Sequence, residues 1–467
     1  MDDAAGIGRL TARARGGTRE LRVPATAGAV MAVTGLAGLL SIMGADSRWL
    51  AALGAAIVRT GRIPHGVPFA AAPTAHWPNV PVLGELLFHA LLTVGPRGLL
   101  VAQLAAVAIA LSLVAVDARA LGARDGQAAV TVLIVAVAAL PALAIVRTQL
   151  LSLPLVPLLM LLLRAEARRP TRRIWLAPPL LVLWSNLHGA VLVGLALLLV
   201  YLSVFLLRRA PLEALALATA SCVACCLTPA LWRTPLFFRG VLENEAARRG
   251  HGQWAPLSVH APFDVVLAAG AILLLFLAFR AGTSRWELLA LAALLVETVH
   301  ASRTGVWLIL AVAPRAARGL PYNGTTGRRL GLTALAIGAA ATLLAVDRGP
   351  SLTGASAALV ARTVTVAHGK PVLAEDVLAE QVAEAGGRIW IGNPIDAFSR
   401  KEQSTYFDWL DGSASGDADV AHVDAVLVTL RSSAERRIAA NPAFVLIASD
   451  GHARLFVRRQ KAQSTRS

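Results

Sequence analysis

Runs of apolar residues separated by short polar breaks dominate the first 348 residues of the chain. The first such run extends from about Val23 to Met43, long enough to cross a bilayer. Others follow at about Gly98–Val116, Gln127–Val146, Gln149–Leu163, Ile174–Leu187 and Ala190–Leu207. The series continues through Leu212–Leu231, Val265–Phe279, Trp286–Val299, Thr304–Val312 and Leu330–Val346, about eleven spans in all. Between the first two runs lies a long polar stretch, residues 44–97. It holds two amphipathic pieces, Ser47–Arg59 and Val82–Val94, expected to lie at the membrane interface. The segment from Gly61 to Pro78 between them is rich in Pro and Gly and reads as loop.

From about residue 349 to 467 the pattern changes. Val372–Ala374 reads as a strand, followed by a helix to Ala385. Val423–Leu430 reads as a buried strand, Ser432–Ala440 as a helix, and Phe444–Ala448 with Ala453–Val457 as a terminal hairpin. Strands alternating with helices predict a small α/β domain. The fold expected is therefore a polytopic α-helical membrane protein with a C-terminal α/β domain. Its parts are a basic cytoplasmic arm (1–22), a membrane domain (23–348) with a large first outer loop (44–97), and the α/β domain (349–467).

Composition agrees with this division. The chain is 56% hydrophobic and only 15% charged, against roughly a quarter charged in soluble domains. The net charge of +16 does not imply nucleic acid, because the arginines sit in short loops, where they set topology and meet anionic lipid. With the N-terminus inside, the arm and inner loops hold roughly twenty basic residues against about ten outside. The segment Arg164–Arg173 is the clearest inner anchor. The α/β domain then falls outside the cell's plasma (inner) membrane. Cys222, Cys225 and Cys226 share one apolar run without a second ligand cluster, and read as small hydrophobes. The chain carries no G-x-G-x-x-G and no P-loop.

Topology gathers the unusual polar residues at the outer face. Polar groups near a bilayer are costly and are usually kept for function. Asp46 follows the first span. A carboxylate there suits a general base, a metal ligand, or a cap for the helix beginning near Ser47. Arg147 and Gln149 occupy one outer turn, where a guanidinium fork fits a lipid phosphate or snorkels to headgroups. Asn186, His188 and Gly189 interrupt an apolar hairpin, and either cap it or place a phosphate or proton-handling group there. His300 and Arg303, with Glu297 a turn before, occupy a further outer turn. Glu243 and Glu245 form an i, i+2 acidic pair, a weak candidate for a divalent ion or else a solvated loop. Trp254 could stack on a sugar or join the interfacial belt. His65, His76, Trp77, Glu85 and His89 add polar groups to the first loop.

These residues resemble a known family. The stretch Asp46-x-x-Trp49 followed by Gly61-Arg62-Ile63-Pro64 resembles the opening of bacterial mannosyltransferase-like and arabinosyl-like members of the GT-C class of membrane glycosyltransferases. Trp184-x-Asn186-Leu187-His188-Gly189 is similar to a motif in uncharacterised bacterial GT-C-like proteins. The resemblance implies transfer of a sugar from a polyprenyl-phosphate donor to a cell-envelope acceptor at the outer face, with Asp46 as base. The resemblance carries a role to Asp46 alone; the expected substrate-binding set, read from position and chemistry, is Arg147, Gln149, Asn186, His188, Trp254, His300 and Arg303, and a divalent metal stays open. The acid is single here, where the protein O-mannosyltransferases carry an Asp-Glu pair. Two other functions fit a one-sided polar cap. A flippase for a lipid-linked intermediate would need charges inside the spans, and the sequence offers few there. A non-catalytic scaffold for envelope assembly would use the α/β domain to bind a protein partner.

Overall fold

The computed structural model describes residues 24–459 except 75 and 322–327. The basic arm expected at 1–22 lies outside the described residues. A helix stands in each of the eleven apolar segments. Four are long and apolar enough to cross a membrane: Pro96–Ala120, Thr148–Arg168, Pro262–Arg280 and Leu330–Arg348. Pro211–Cys226 and Leu231–Arg249 would count as a fifth if taken as one span, but they are bent by 97° at their junction. The bend follows Thr228-Pro229, where proline removes a donor and disfavours helix in the preceding residue. The remaining apolar helices are shorter.

The first helix, Ala25–Leu39, packs along the last membrane helix, Arg328–Arg348. Small residues set this contact. A Cβ on Gly35 would lie 2.6 Å from the Gly338 carbonyl oxygen, and one on Gly338 would lie 2.4 Å from the Met31 carbonyl carbon. Neither position has room for a side chain, so the backbones approach closely. The two pieces of the first loop form helices Ser47–Thr60 and Val82–Thr93, which cross where a Cβ on Gly54 would meet the Glu85 carbonyl.

Residues 351–459 form a four-stranded sheet flanked by helices. The strands are β3 (Val372–Ala374), β4 (Ala425–Thr429), β5 (Phe444–Ser449) and β6 (Ala453–Arg458), after β1 (Ile42–Met43) and β2 (Ile145–Val146) earlier in the chain. Their order is β3-β4-β6-β5, with β3 parallel to β4 and the rest antiparallel. Val372–Ala374 and Ala425–Val428 are all buried, as expected of strands covered on both faces.

This region is sewn to the first loop. Ile389 N–H donates to the Phe69 carbonyl, and Ala71 and Ala72 N–H donate to the Ile389 and Trp390 carbonyls. Met43 N–H donates to the Ser351 carbonyl, and Arg48 pairs with Glu384.

One expectation fails here. Arg164, expected in an exposed inner loop, is 1% exposed. Its guanidinium donates to Asp117 Oδ2 at 2.6 Å, Glu287 Oε1 at 2.7 Å and the Ala311 carbonyl at 2.6 Å. Arg315 closes the cluster by donating to Glu287 Oε2 at 2.6 Å. Four helices thus meet at buried charges that their sequences display only one at a time.

Candidate active site

Short β-structure fixes the first catalytic candidate. β1 pairs in parallel with β2, Gly44 N–H donates to the Val146 carbonyl at 3.0 Å, and Ser47 Oγ–H donates to the same oxygen at 2.9 Å. The chain leaving the first helix is therefore pinned beside the turn that carries Arg147. Asp46 sits between these ties in a left-handed conformation, φ 76°. Aspartate tolerates this region better than most residues, at a cost of about 1 kcal/mol. Its carboxylate makes no capping bond to the helix at Ser47. Instead Oδ1 accepts the Trp49 indole N–H at 3.0 Å, and its backbone N–H donates to Glu380 Oε1 at 2.8 Å.

A cavity of about 500 Å³ opens at this point. Asp46, Arg147, Gln149, His188, Trp254 and Arg303 all line it. Arg147 Nε donates to Gln149 Oε1 at 2.9 Å, and Gln149 Nε2 donates to the Arg303 carbonyl at 3.1 Å, so Gln149 spaces two arginines across the cavity wall. Ala190 N–H donates to His188 Nδ1 at 3.3 Å. Nδ1 must therefore carry a lone pair. Ser152 Oγ, 2.7 Å away, accepts the Trp184 indole N–H and passes its own proton toward that nitrogen. The imidazole is held neutral with its proton on Nε2. A broad stretch of the cavity is apolar, formed by Leu192, Val193, Ala196 and Leu197 together with Ala290, Ala293 and Leu294. Among the described residues, Asp46, Arg147 and Arg303 enter no ion pair.

Four expected residues are placed otherwise. His300 is the exposed last residue of helix Arg285–His300 and does not reach the cavity. The helix turns Ala290, Ala293, Leu294 and Glu297 inward at i, i+3, i+4 and i+7, so Glu297 takes the lining place. Asn186 donates to the Val182 and Leu227 carbonyls, each at 2.8 Å, and ties two helices together outside the cavity. Glu243 faces Arg239 and Arg400, while Glu245 faces Arg248 and Arg249. The two acids meet arginines rather than each other. Among the described residues no cluster of three or more His, Cys, Asp or Glu could hold a metal. Trp254 lines the cavity, but one face is covered by the Arg303 guanidinium, 3.6 Å from the ring centroid. That contact orients the arginine and leaves one face at most for a sugar.

The C-terminal region supplies wall residues that the sequence did not mark. Asn393, Pro394, Ile395 and Asp396 line the cavity, with a cis bond before Pro394. Glu380, 1% exposed, accepts both the Asp46 N–H and the Asn393 side-chain amide, the latter at 3.0 Å. Burial, reinforced by the Asp46 charge, raises the Glu380 carboxyl to about 8. Burial likewise raises Asp396 to about 6, against a hydrogen bond from Trp77. An Asn-Pro turn set between apolar residues was the one local signal of this segment.

The fold is similar to that of solved structures. An arabinofuranosyltransferase, AftD, from Mycobacteria matches with a TM-score of 0.51 at 15% identity over 92% of this chain. The chain spans only 41% of that protein. ArnT from Cupriavidus metallidurans, in a structure bound to undecaprenyl phosphate, matches with a TM-score of 0.50 at 13% identity. That match covers 91% of this chain and 96% of ArnT. No family model and no curated protein sequence matches. The chain therefore has a GT-C-like fold, that of a membrane protein built like these glycosyltransferases.

Proposed function

We propose that the chain is an inverting glycosyltransferase that moves a sugar from a polyprenyl phosphate to a cell-envelope acceptor. The reaction occurs at the outer face of the plasma membrane, with the C-terminal α/β domain outside and the helices forming about eleven spans. The observation that carries the reading is the convergence of the Asp46 carboxylate with two arginines without ion-pair partners, Arg147 and Arg303, on a cavity with an apolar floor. Such a floor suits an isoprenoid chain, and the arginines suit its phosphate.

In the reaction, the acceptor hydroxyl attacks the anomeric carbon as the bond from that carbon to the phosphate oxygen breaks. Asp46 takes the hydroxyl proton, and the electron pair of the broken bond leaves on the polyprenyl phosphate. Arg147, Arg303 and the Nε2–H of His188 stabilise the charge gathering on the leaving phosphate. Gln149 holds Arg147 in place, and Trp254 does the same for Arg303.

The test is a transfer assay on the purified full chain in lipid, with labelled polyprenyl-phosphate hexoses and pentoses as donors and envelope extract as acceptor. Asp46→Asn should lower transfer by roughly 10³-fold with unchanged expression. Retained transfer would remove Asp46 as base, and absence of transfer from every donor would remove the reading itself.

A further inference from the structure

Asp396 stands on the C-terminal wall of the cavity, from which Arg147 and Arg303, on other elements, are absent. Its Oδ2 accepts the Trp77 indole N–H at 2.8 Å. The carboxylate also draws on its own backbone N–H, and among the described residues no side chain other than Trp77 donates to it and it enters no ion pair. Trp77, from the first outer loop, also lines the cavity and is braced by Phe237, with ring centroids 6.0 Å apart. The amide-bearing Asn393 lines the same wall, fixed by Glu380. The cavity thus carries two kinds of group on separate elements: the cations Arg147 and Arg303 with an apolar lining, and the carboxylate, amide and indole of Asp396, Asn393 and Trp77.

We propose that Asp396, with Trp77 and Asn393, forms the subsite for a neutral, polyhydroxylated acceptor, and that Asp396 accepts a hydrogen bond from a hydroxyl of that acceptor. The word acceptor rests on the transferase reading above. The chemistry of the subsite rests on its own residues. A carboxylate repels a phosphate and accepts from a sugar hydroxyl, while an indole offers an apolar face to a sugar ring. Asp396 binds and selects; Asp46 remains the group that takes the proton.

The test separates the two halves of the cavity. Two probes are titrated into the full chain in nanodiscs: undecaprenyl phosphate for the cationic side, and a panel of methyl hexosides and methyl pentosides for the other, followed by saturation-transfer NMR. Asp396→Asn should weaken glycoside binding by about tenfold or more while undecaprenyl phosphate binding stays within about threefold. Arg147→Ala should do the reverse. Trp77→Phe keeps a ring but removes the indole donor, and should also weaken the glycosides, which covers the case in which Asp396→Asn fails to fold. Undecaprenyl phosphate binding without binding of any glycoside, or glycoside binding indifferent to both wall variants, would overturn the subsite and leave the transferase reading standing. Glycosides lost in Asp396→Asn, with no undecaprenyl phosphate bound by the wild type, would support the subsite and overturn the donor assignment.

Discussion

The helices Leu155–Arg168, Arg285–His300 and Gly305–Gly319 carry ionisable residues at or just beyond both ends, and the two ends treat those charges differently. At one end Arg164, Asp117, Glu287 and Arg315 neutralise one another at 2.6 to 2.7 Å, and Arg164, Asp117 and Glu287 are each 1% exposed. At the other, Arg147, Arg303 and Asp46 line a cavity without ion-pairing. Charges in a low-dielectric setting are tolerated when paired. Keeping desolvated charges without direct ion-pair partners costs stability, and such a cost is characteristic of binding sites. The paired end therefore holds the bundle together, and the unpaired end is left ready for an anion. A flippase that carried charge through the bundle would need the paired residues to separate, and their short bonds and burial argue against it.

Substitutions should break this contrast in opposite ways. Arg164→Ala would leave Asp117 and Glu287 buried without their partner. It should destabilise the protein by about 3–5 kcal/mol, read as a lower midpoint in thermal or denaturant unfolding. Ligand affinity of the fraction still folded should be unchanged. Arg147→Ala should leave the unfolding midpoint unchanged or raised, because it removes a buried charge that has no direct ion-pair partner. It should weaken undecaprenyl phosphate by roughly a hundredfold, about 3 kcal/mol, in direct titration. A destabilised Arg147→Ala with normal affinity would erase the distinction between the two ends.

Glu380 gives the contrast a pH dependence. Its folded carboxyl titrates near 8, above the ordinary carboxylate range, so the folded state holds a proton that the unfolded chain releases. Stability from this group is full below the ordinary range and is lost as pH rises toward 8. The slope is at most about 1.4 kcal/mol per pH unit. Glu380→Gln keeps an acceptor for the Asp46 and Asn393 donors and should flatten that loss, as unfolding midpoints between pH 6 and 8.5 (on the order of one titration width to either side of neutrality) will register. An unaltered profile would place the titrating group elsewhere. Smaller effects remain. Asn186→Ala should cost about 1 kcal/mol through its lost bonds to two helices, without altering ligand affinity. His300→Ala should change neither stability nor affinity measurably.

Much of this was legible along the chain. Apolar period and length marked the helices, and the two interfacial pieces of the first loop are helices within a residue or two of their expected ends. Asp46, Arg147, His188 and Arg303 could be gathered at one face because each lies where the chain reverses, and reversals at one end of a bundle are neighbours. Rotation about a helix axis was not legible at helix ends. That is why His300 was expected where Glu297 stands. Pairing between distant segments was hidden as well: Arg164 looks like a loop anchor until Asp117 and Glu287 are placed beside it. Asp396 joins the cavity wall and Glu380 supports it through contacts more than three hundred residues apart in sequence, with only the Asn393-Pro394 turn as a local signal.

A structure of the full chain with undecaprenyl phosphate bound tests the central claim most directly. The account predicts the phosphate within hydrogen-bond distance of both Arg147 and Arg303, with the isoprenoid chain on the apolar floor formed by Leu192, Val193 and Leu294. A phosphate bound elsewhere on the protein, with the two arginines left uncontacted, would contradict it.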